Sequence, residues 1–219
     1  MKYLVIGAGG AGGSIGAFMT EAGKDVTLIA RGEHLKIIQE NGLTMETTVK
    51  GNYVVNPIKA TDMEHYNDKP DVVFVCVKGY SLAETVPFLQ RICDAHTIVI
   101  PILNIYGTGG RLQKELPDSL VMDGCIYISA QIKEPGVIWQ SWDGFRVVYG
   151  VRNPEELRPE LSQIAADLKD SGIEGVLSDN IRRDALQKFS YVSPMGHAAF
   201  IIMYLLVRCR KLEKSGILL

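Results

Sequence analysis

The chain has 219 residues, with 23 lysines and arginines against 25 aspartates and glutamates and a formal net charge of -2. That near balance argues against nucleic acid as a partner, because no dense basic stretch occurs before the last dozen residues. The length allows one large domain or one and a fraction, and Cys76, Cys93, Cys125 and Cys209, scattered without C-x-x-C spacing, predict reduced thiols in a cytoplasmic protein.

The N-terminus runs directly into an apolar strand, which predicts no signal peptide. Tyr3-Leu4-Val5-Ile6 leads into Gly7-Ala8-Gly9-Gly10-Ala11-Gly12 and then a helix. Gly7, Gly9 and Gly12 fit G-x-G-x-x-G: a tight turn, an unobstructed approach for a pyrophosphate, and close helix-strand packing. The phosphates would sit on the helix N-terminus, where free amides and the dipole favour an anion. Turns and tight packing alone also select glycine, but the flanking strand and helix point to a dinucleotide.

The next strand, Asp25 to Ala30, carries no acid at its end for a ribose 2′-hydroxyl. Arg31 follows instead, a guanidinium suited to a 2′-phosphate, and this predicts NADP(H) rather than NAD. The alternative is a solvated Arg31, with Glu33 on the ribose.

A helix from Arg31 to Asn41 precedes an alternating segment, Leu43 to Ala60, expected to form a hairpin turning at Gly51-Asn52. Asp71 to Val77 and Thr97 to Leu103 are continuously apolar, as buried parallel strands require, and a helix over Leu82 to Ile92 lies between them. This alternation predicts a Rossmann-type doubly wound α/β sheet. From Leu120 to Val151, short strands separated by Gly124, Pro135-Gly136 and Asp143-Gly144 predict an antiparallel extension of the sheet.

Asn153-Pro154-Glu155-Glu156 is expected to open a helix with the stripe Leu157, Leu161, Ile164, Ala165 and Leu168, ended by Gly172. One more strand, to Leu177, precedes a final helical region from about Asp179. The expected domains are an NADP-binding Rossmann-type part at 1–178 and a truncated all-helical part at 179–219.

Ligands of such sheets lie beyond the carboxyl ends of the strands. Lys78 and Asn104 stand there; each is either a ligand contact or, respectively, a solvated lysine and a turn-forming asparagine. Lys188 shares a helical stripe with Ile181, Ala185, Phe189 and Val192. It either snorkels to solvent or points into the cleft, where desolvation would make it a usable general acid for a carbonyl accepting hydride. His34, His65, His96 and His197 show no metal spacing, so no metal is expected and each is read as a surface or capping residue.

Taken together, these residues resemble ketopantoate reductases (2-dehydropantoate 2-reductases). The likeness rests on Gly7 to Gly12, Ala30-Arg31-Gly32, Val75-Cys76-Val77-Lys78, Pro101-Ile102-Leu103-Asn104, Gly124-Cys125-Ile126-Tyr127, Pro135-Gly136-Val137 and Ala185-Leu186-Gln187-Lys188. The resemblance implies NADPH-dependent reduction of 2-dehydropantoate to pantoate, towards pantothenate and coenzyme A. It casts Lys188 as proton donor, Asn104 as a substrate- and cofactor-positioning residue, and Arg31 and Lys78 as NADP contacts. Three departures stand out. Ile105 follows Asn104 where the family usually has glycine, Val192 and Gly196 stand where it often has asparagines, and the family's helical second domain is longer. The alternatives are an NADP(H)-binding protein with little catalysis because that domain is missing, or a reductase of a different 2-keto acid.

The run Ala198 to Val207 is too short to span a bilayer, and Phe200 to Val207 is apolar nearly all round; either the gene is shortened or shifted in frame there, or the helix buries against another subunit, which predicts a homo-oligomer joined through the C-terminal helix around residues 190 to 210.

Overall fold

A computed structural model describes residues 1–48 and 50–214, apart from the side chains of 197 and 199–214. The parallel strands β1 (Lys2–Ile6) and β2 (Asp25–Ile29) are joined by the helix α1 (Gly10–Glu21). Tyr3, Leu4, Val5 and Ile6 are all fully buried, since successive side chains enter opposite faces and both faces are covered. α2 (Gly32–Asn41) follows with Arg31 at its cap. The chain then forms the hairpin β3 (Leu43–Thr47) and β4 (Gly51–Val55) and returns as β5 (Lys59–Thr61) beside β2. The hairpin turns earlier than its Gly-Asn pair suggests. Gly51 already pairs with Thr47, and the Thr47 hydroxyl accepts the Lys50 N–H at 2.8 Å, closing the turn before Gly51.

β6 (Val72–Val75), α3 (Leu82–Ile92), β7 (Ile98–Pro101), α4 (Thr108–Glu115) and β8 (Leu120–Val121) complete the main sheet. Its order is β5-β2-β1-β6-β7-β8, and every neighbouring pair is parallel. Counted along the chain within the sheet, this is the doubly wound order 3-2-1-4-5-6, whose ligand crevice opens where the order reverses, between β1 and β6. α4 has no counterpart in the sequence reading, because Leu112 is its one buried large apolar residue and no stripe announces it.

β9 (Asp123–Tyr127), β10 (Ala130–Glu134), β11 (Val137–Gln140) and β12 (Arg146–Gly150) supply the expected antiparallel pairs, β9 with β12 and β10 with β11. They stand in two smaller sheets, β10-β11-β3-β4 and, with β13 (Glu174–Leu177), β13-β12-β9. The four-stranded sheet covers the face of α1 turned away from the parallel sheet. A methyl group at Gly13 would overlap Ile138, and one at Gly10 would overlap the Ala130 carbonyl. Gly12 through Met19 are consequently all buried.

Asn153-Pro154-Glu155-Glu156 forms only a short 3-10 turn, in which the Asn153 N–H and Nδ2 donate to the Glu156 carboxylate at 3.2 and 2.9 Å. The helix α5 (Pro159–Asp170) starts later, because Pro159 holds Arg158 extended at φ -134°, ψ 150°. Leu157 therefore falls outside the helix and is 57% exposed, while Leu161, Ile164 and Leu168 are fully buried.

The last helix, α6 (Ile181–Lys214), is anchored by Ile181 against Cys125 and Val148 and by the Ser178 hydroxyl donating to Asp184 at 2.6 Å. Among the described residues no helix is long and apolar enough to cross a membrane. The side chains of Phe200 to Val207, on which the expected oligomer contact rests, lie outside the described residues, as do those of His197 and Cys209.

Candidate active site

A cleft of about 410 Å³ opens at the carboxyl ends of β1, β2 and β6. Its floor is the glycine turn. Gly7 has φ +100°, a left-handed conformation that favours glycine, and the Gly7 and Ala8 N–H groups both donate to the Ile29 carbonyl at 3.0 and 3.1 Å. A Cβ at Gly9 would meet nothing within 4 Å, so this part of the turn is open to a ligand. A Cβ at Gly12 would overlap the Gly7 carbonyl oxygen and stand 2.8 Å from the Cys76 Cβ, which is the close packing expected of the third glycine. Ala11 packs against the core beside it. Gly9 caps α1, whose first turn carries no acid, leaving the helix N-terminus favourable to an anion. The turn thus fits the pyrophosphate of a dinucleotide.

Arg31 lines this cleft from the end of β2, whereas Glu33 does not. The Arg31 side chain forms no ion pair among the described residues. Lys78 lines the opposite wall, exposed, beyond β6. Tyr80, Glu84 and His34 line it too, and the sequence reading assigned none of them to the site. His34 is not a surface or capping residue: its Nε2 lies 2.7 Å from the Ala8 carbonyl and its Nδ1 accepts the Gly136 N–H at 2.9 Å. The available signal was its place one helical turn after Arg31, on the same face of α2.

Lys78 and Asn104 stand level with each other, each three residues beyond the paired residues Val75 and Pro101. Past Asn104 the wall is apolar. Ile105 packs against Gly79, where a methyl group would overlap its Cδ1, and the rings of Tyr106 and Phe189 lie 6.4 Å apart.

Lys188 reaches this wall from α6 and does not snorkel: it is 8% exposed. Its Nζ donates to Asn104 Oδ1 at 2.8 Å and to the Ile126 carbonyl, and it lies 5.3 Å from the Tyr127 ring centroid. Burial holds its pKa below the usual lysine value, opposed only in part by Cys125. An ammonium has three donors; two are engaged by the protein and one remains. A cavity of about 20 Å³, room for a single water-sized group, lies between Lys188, Asn104, Ile105 and Phe189. The structure therefore brings Lys188 and Asn104 together at one wall, and Gly7, Ala8, Gly9, Arg31 and Lys78 around the neighbouring cleft, whereas Gly10, Ala11 and Gly12 turn into the packing of α1 and do not line it.

Comparison with known proteins places the fold in a family. Residues 3–154 match the family profile described as ketopantoate reductase PanE/ApbA. The chain is 30% identical over 197 residues to an uncharacterized oxidoreductase, YkpB, of Bacillus subtilis, covering 88% of this chain and 62% of that protein. It is 29% identical over 189 residues to a 2-dehydropantoate 2-reductase of Halobacterium salinarum, covering 86% and 61%. Among solved structures, the 2-dehydropantoate 2-reductase from Porphyromonas gingivalis W83 superposes with a TM-score of 0.78 at 29% identity, over 86% of this chain and 67% of that one. A D-mandelate dehydrogenase solved with NADH and anilino(oxo)acetate shares the fold, with a TM-score of 0.77 at 23% identity over 86% and 60%. The chain spans about three fifths of the length of the curated relatives it matches.

Proposed function

We propose, from the premise that this chain belongs to the ketopantoate reductase PanE/ApbA family, that it reduces 2-dehydropantoate to pantoate with NADPH. The observation that carries this reading is Lys188, buried and held by Asn104 and the Ile126 carbonyl beside the small cavity. Gly7, Ala8 and Gly9, with the first turn of α1 at Gly10 and Ala11, would hold the pyrophosphate, Gly12 would let that helix pack against the strand, and Arg31 would hold the 2′-phosphate and Lys78 the ribose or phosphates. The chemistry that such a cofactor supplies when bound is a hydride for the carbonyl carbon. Lys188 gives its proton to the keto oxygen, so that the carbonyl becomes a secondary alcohol, and the neutral amine regains a proton from water. Asn104 keeps the Lys188 Nζ in place and lies where it can also meet the substrate or the cofactor ribose. Burial of Lys188, at 8% exposure, strengthens the pull of its Nζ on developing oxyanion charge.

Loss of NADPH absorbance on addition of 2-dehydropantoate tests the reading. NADPH binding without turnover, even at high enzyme concentration, would leave an NADP(H)-binding protein without efficient catalysis. The apolar wall favours one second reading, a reductase of a different 2-keto acid. Ile105, Val192, Tyr106 and Phe189 offer little to a hydroxylated side chain, and a panel in which another 2-keto acid outperforms 2-dehydropantoate would establish it.

On the same reading the protein acts in the cytoplasm as a homo-oligomer, with residues 1–178 holding the cofactor and 179–219 joining the subunits. Leu186, Tyr191 and Met195, at 50%, 67% and 55% exposure on α6, support that contact. Light scattering that returns a monomer mass at working concentration would remove it.

A further inference from the structure

We propose that His34 is a positioning residue that aims the Gly9 N–H of the glycine turn at the cofactor pyrophosphate; the inference rests on the dinucleotide reading above. The Gly136 N–H donates to Nδ1 at 2.9 Å, so that nitrogen carries no proton. The neutral ring then has its hydrogen on Nε2, which donates to the Ala8 carbonyl at 2.7 Å. One histidine thus ties the turn after β1 to the Pro135-Gly136 turn between β10 and β11, although His34 and Gly136 stand 102 residues apart in sequence.

The Ala8–Gly9 peptide is trans, so its carbonyl and the Gly9 N–H point in opposite directions. Holding the carbonyl on His34 therefore fixes the direction of the N–H at the opposite edge of the same plane. That N–H has no partner among the described residues, and Gly9 lines the cleft with open space around its Cα. The Gly9 carbonyl is meanwhile engaged by the Gly13 N–H at 2.7 Å, beginning α1. Without His34 the Ala8–Gly9 plane is free to rotate, and the turn must order its amides when the ligand arrives, at an entropic cost. The anchor at the other end is itself constrained. Gly136 has φ +76° and stands against Ile37 of α2, which fixes the height at which its N–H meets the ring.

The test is a fluorescence titration of the full chain and of His34→Phe and His34→Gln with two ligands, NADPH and 2′-AMP. The first carries the pyrophosphate; the second carries the 2′-phosphate and adenine without it. His34→Phe is expected to weaken NADPH about tenfold and to leave 2′-AMP within about twofold. His34→Gln, whose amide N–H can reach the Ala8 carbonyl, is expected to recover part of the NADPH affinity, and it carries the test if His34→Phe fails to fold. NADPH affinity unchanged in both variants, or equal losses for both ligands, would overturn the positioning role. A wild-type chain that binds no NADPH would instead overturn the cofactor reading, and this inference with it.

Discussion

At Lys188 the question is which proton is available and when. The donor must be charged to act, and burial places its pKa below 10.5, so reduction should decline as pH rises through that lowered value. Lys188→Ala is expected to lower kcat about a thousandfold while the NADPH Kd stays within about twofold. Unchanged turnover would make Lys188 a structural residue. Arg31 carries a separate prediction. Arg31→Ala should weaken NADPH about thirtyfold, the worth of one charge-assisted contact, with NADH nearly unaffected, and equal losses for both would detach Arg31 from the 2′-phosphate. These positions could be read from sequence because each follows a recognisable strand end or helical stripe. For His34 the sequence offers only its spacing from Arg31; its bond to Gly136 is not legible, since nothing near His34 in the chain announces that partner.

For secondary-structure elements, the sequence was most informative where a segment is buried on both faces. The runs at β1, β6 and β7 are continuously apolar because each sees a layer on either side. α4 was invisible for the opposite reason: it rests on the surface by little more than Leu112. The start of α5 was misplaced because two prolines compete and Pro159, not Pro154, opens the helix. α1 allows the roles of two glycines to be separated. Gly12→Ala must push backbone apart and should cost about 1–3 kcal/mol, read as a lowered melting temperature. Gly9→Ala meets open space at an ordinary φ of -74°, so it should change stability by less than about 0.5 kcal/mol and yet abolish NADPH binding. The reverse pattern would exchange the roles of the two glycines.

Across the whole molecule, one buried polar network joins the first strand to the helix before the last strand. The Tyr3 hydroxyl donates to Asp167 at 2.5 Å, and Lys24 and Gln163 donate to the same carboxylate at 2.9 and 3.0 Å. Burial pushes the Asp167 pKa up, but the hydrogen bonds from Lys24, Tyr3 and Gln163 outweigh it and leave the group below 3.8. A carboxylate with a depressed folded-state pKa stabilises the fold above its unfolded pKa, and that stability is lost as pH falls through the folded value. Asp167→Asn should therefore cost about 2 kcal/mol at pH 7, equally at pH 5, with the gap closing below about pH 4. Urea midpoints at these values check the sign, and a gap that widens in acid would refute it. The resemblance of residues 3–154 to one family could be read from motifs alone. The two smaller sheets could not, because β3 pairs with β11 across more than ninety residues of sequence.

That distant pairing sets an order of assembly. As the chain is made, β1, β2, β6 and β7 can pair once Pro101 has emerged, but the outer face of α1 remains wet until β10 and β11 arrive. The glycine helix, made well before β10 and β11, would then be among the last elements to be sealed. Pulsed hydrogen exchange during refolding should show its amides gaining protection with Ile138, after those of the parallel sheet.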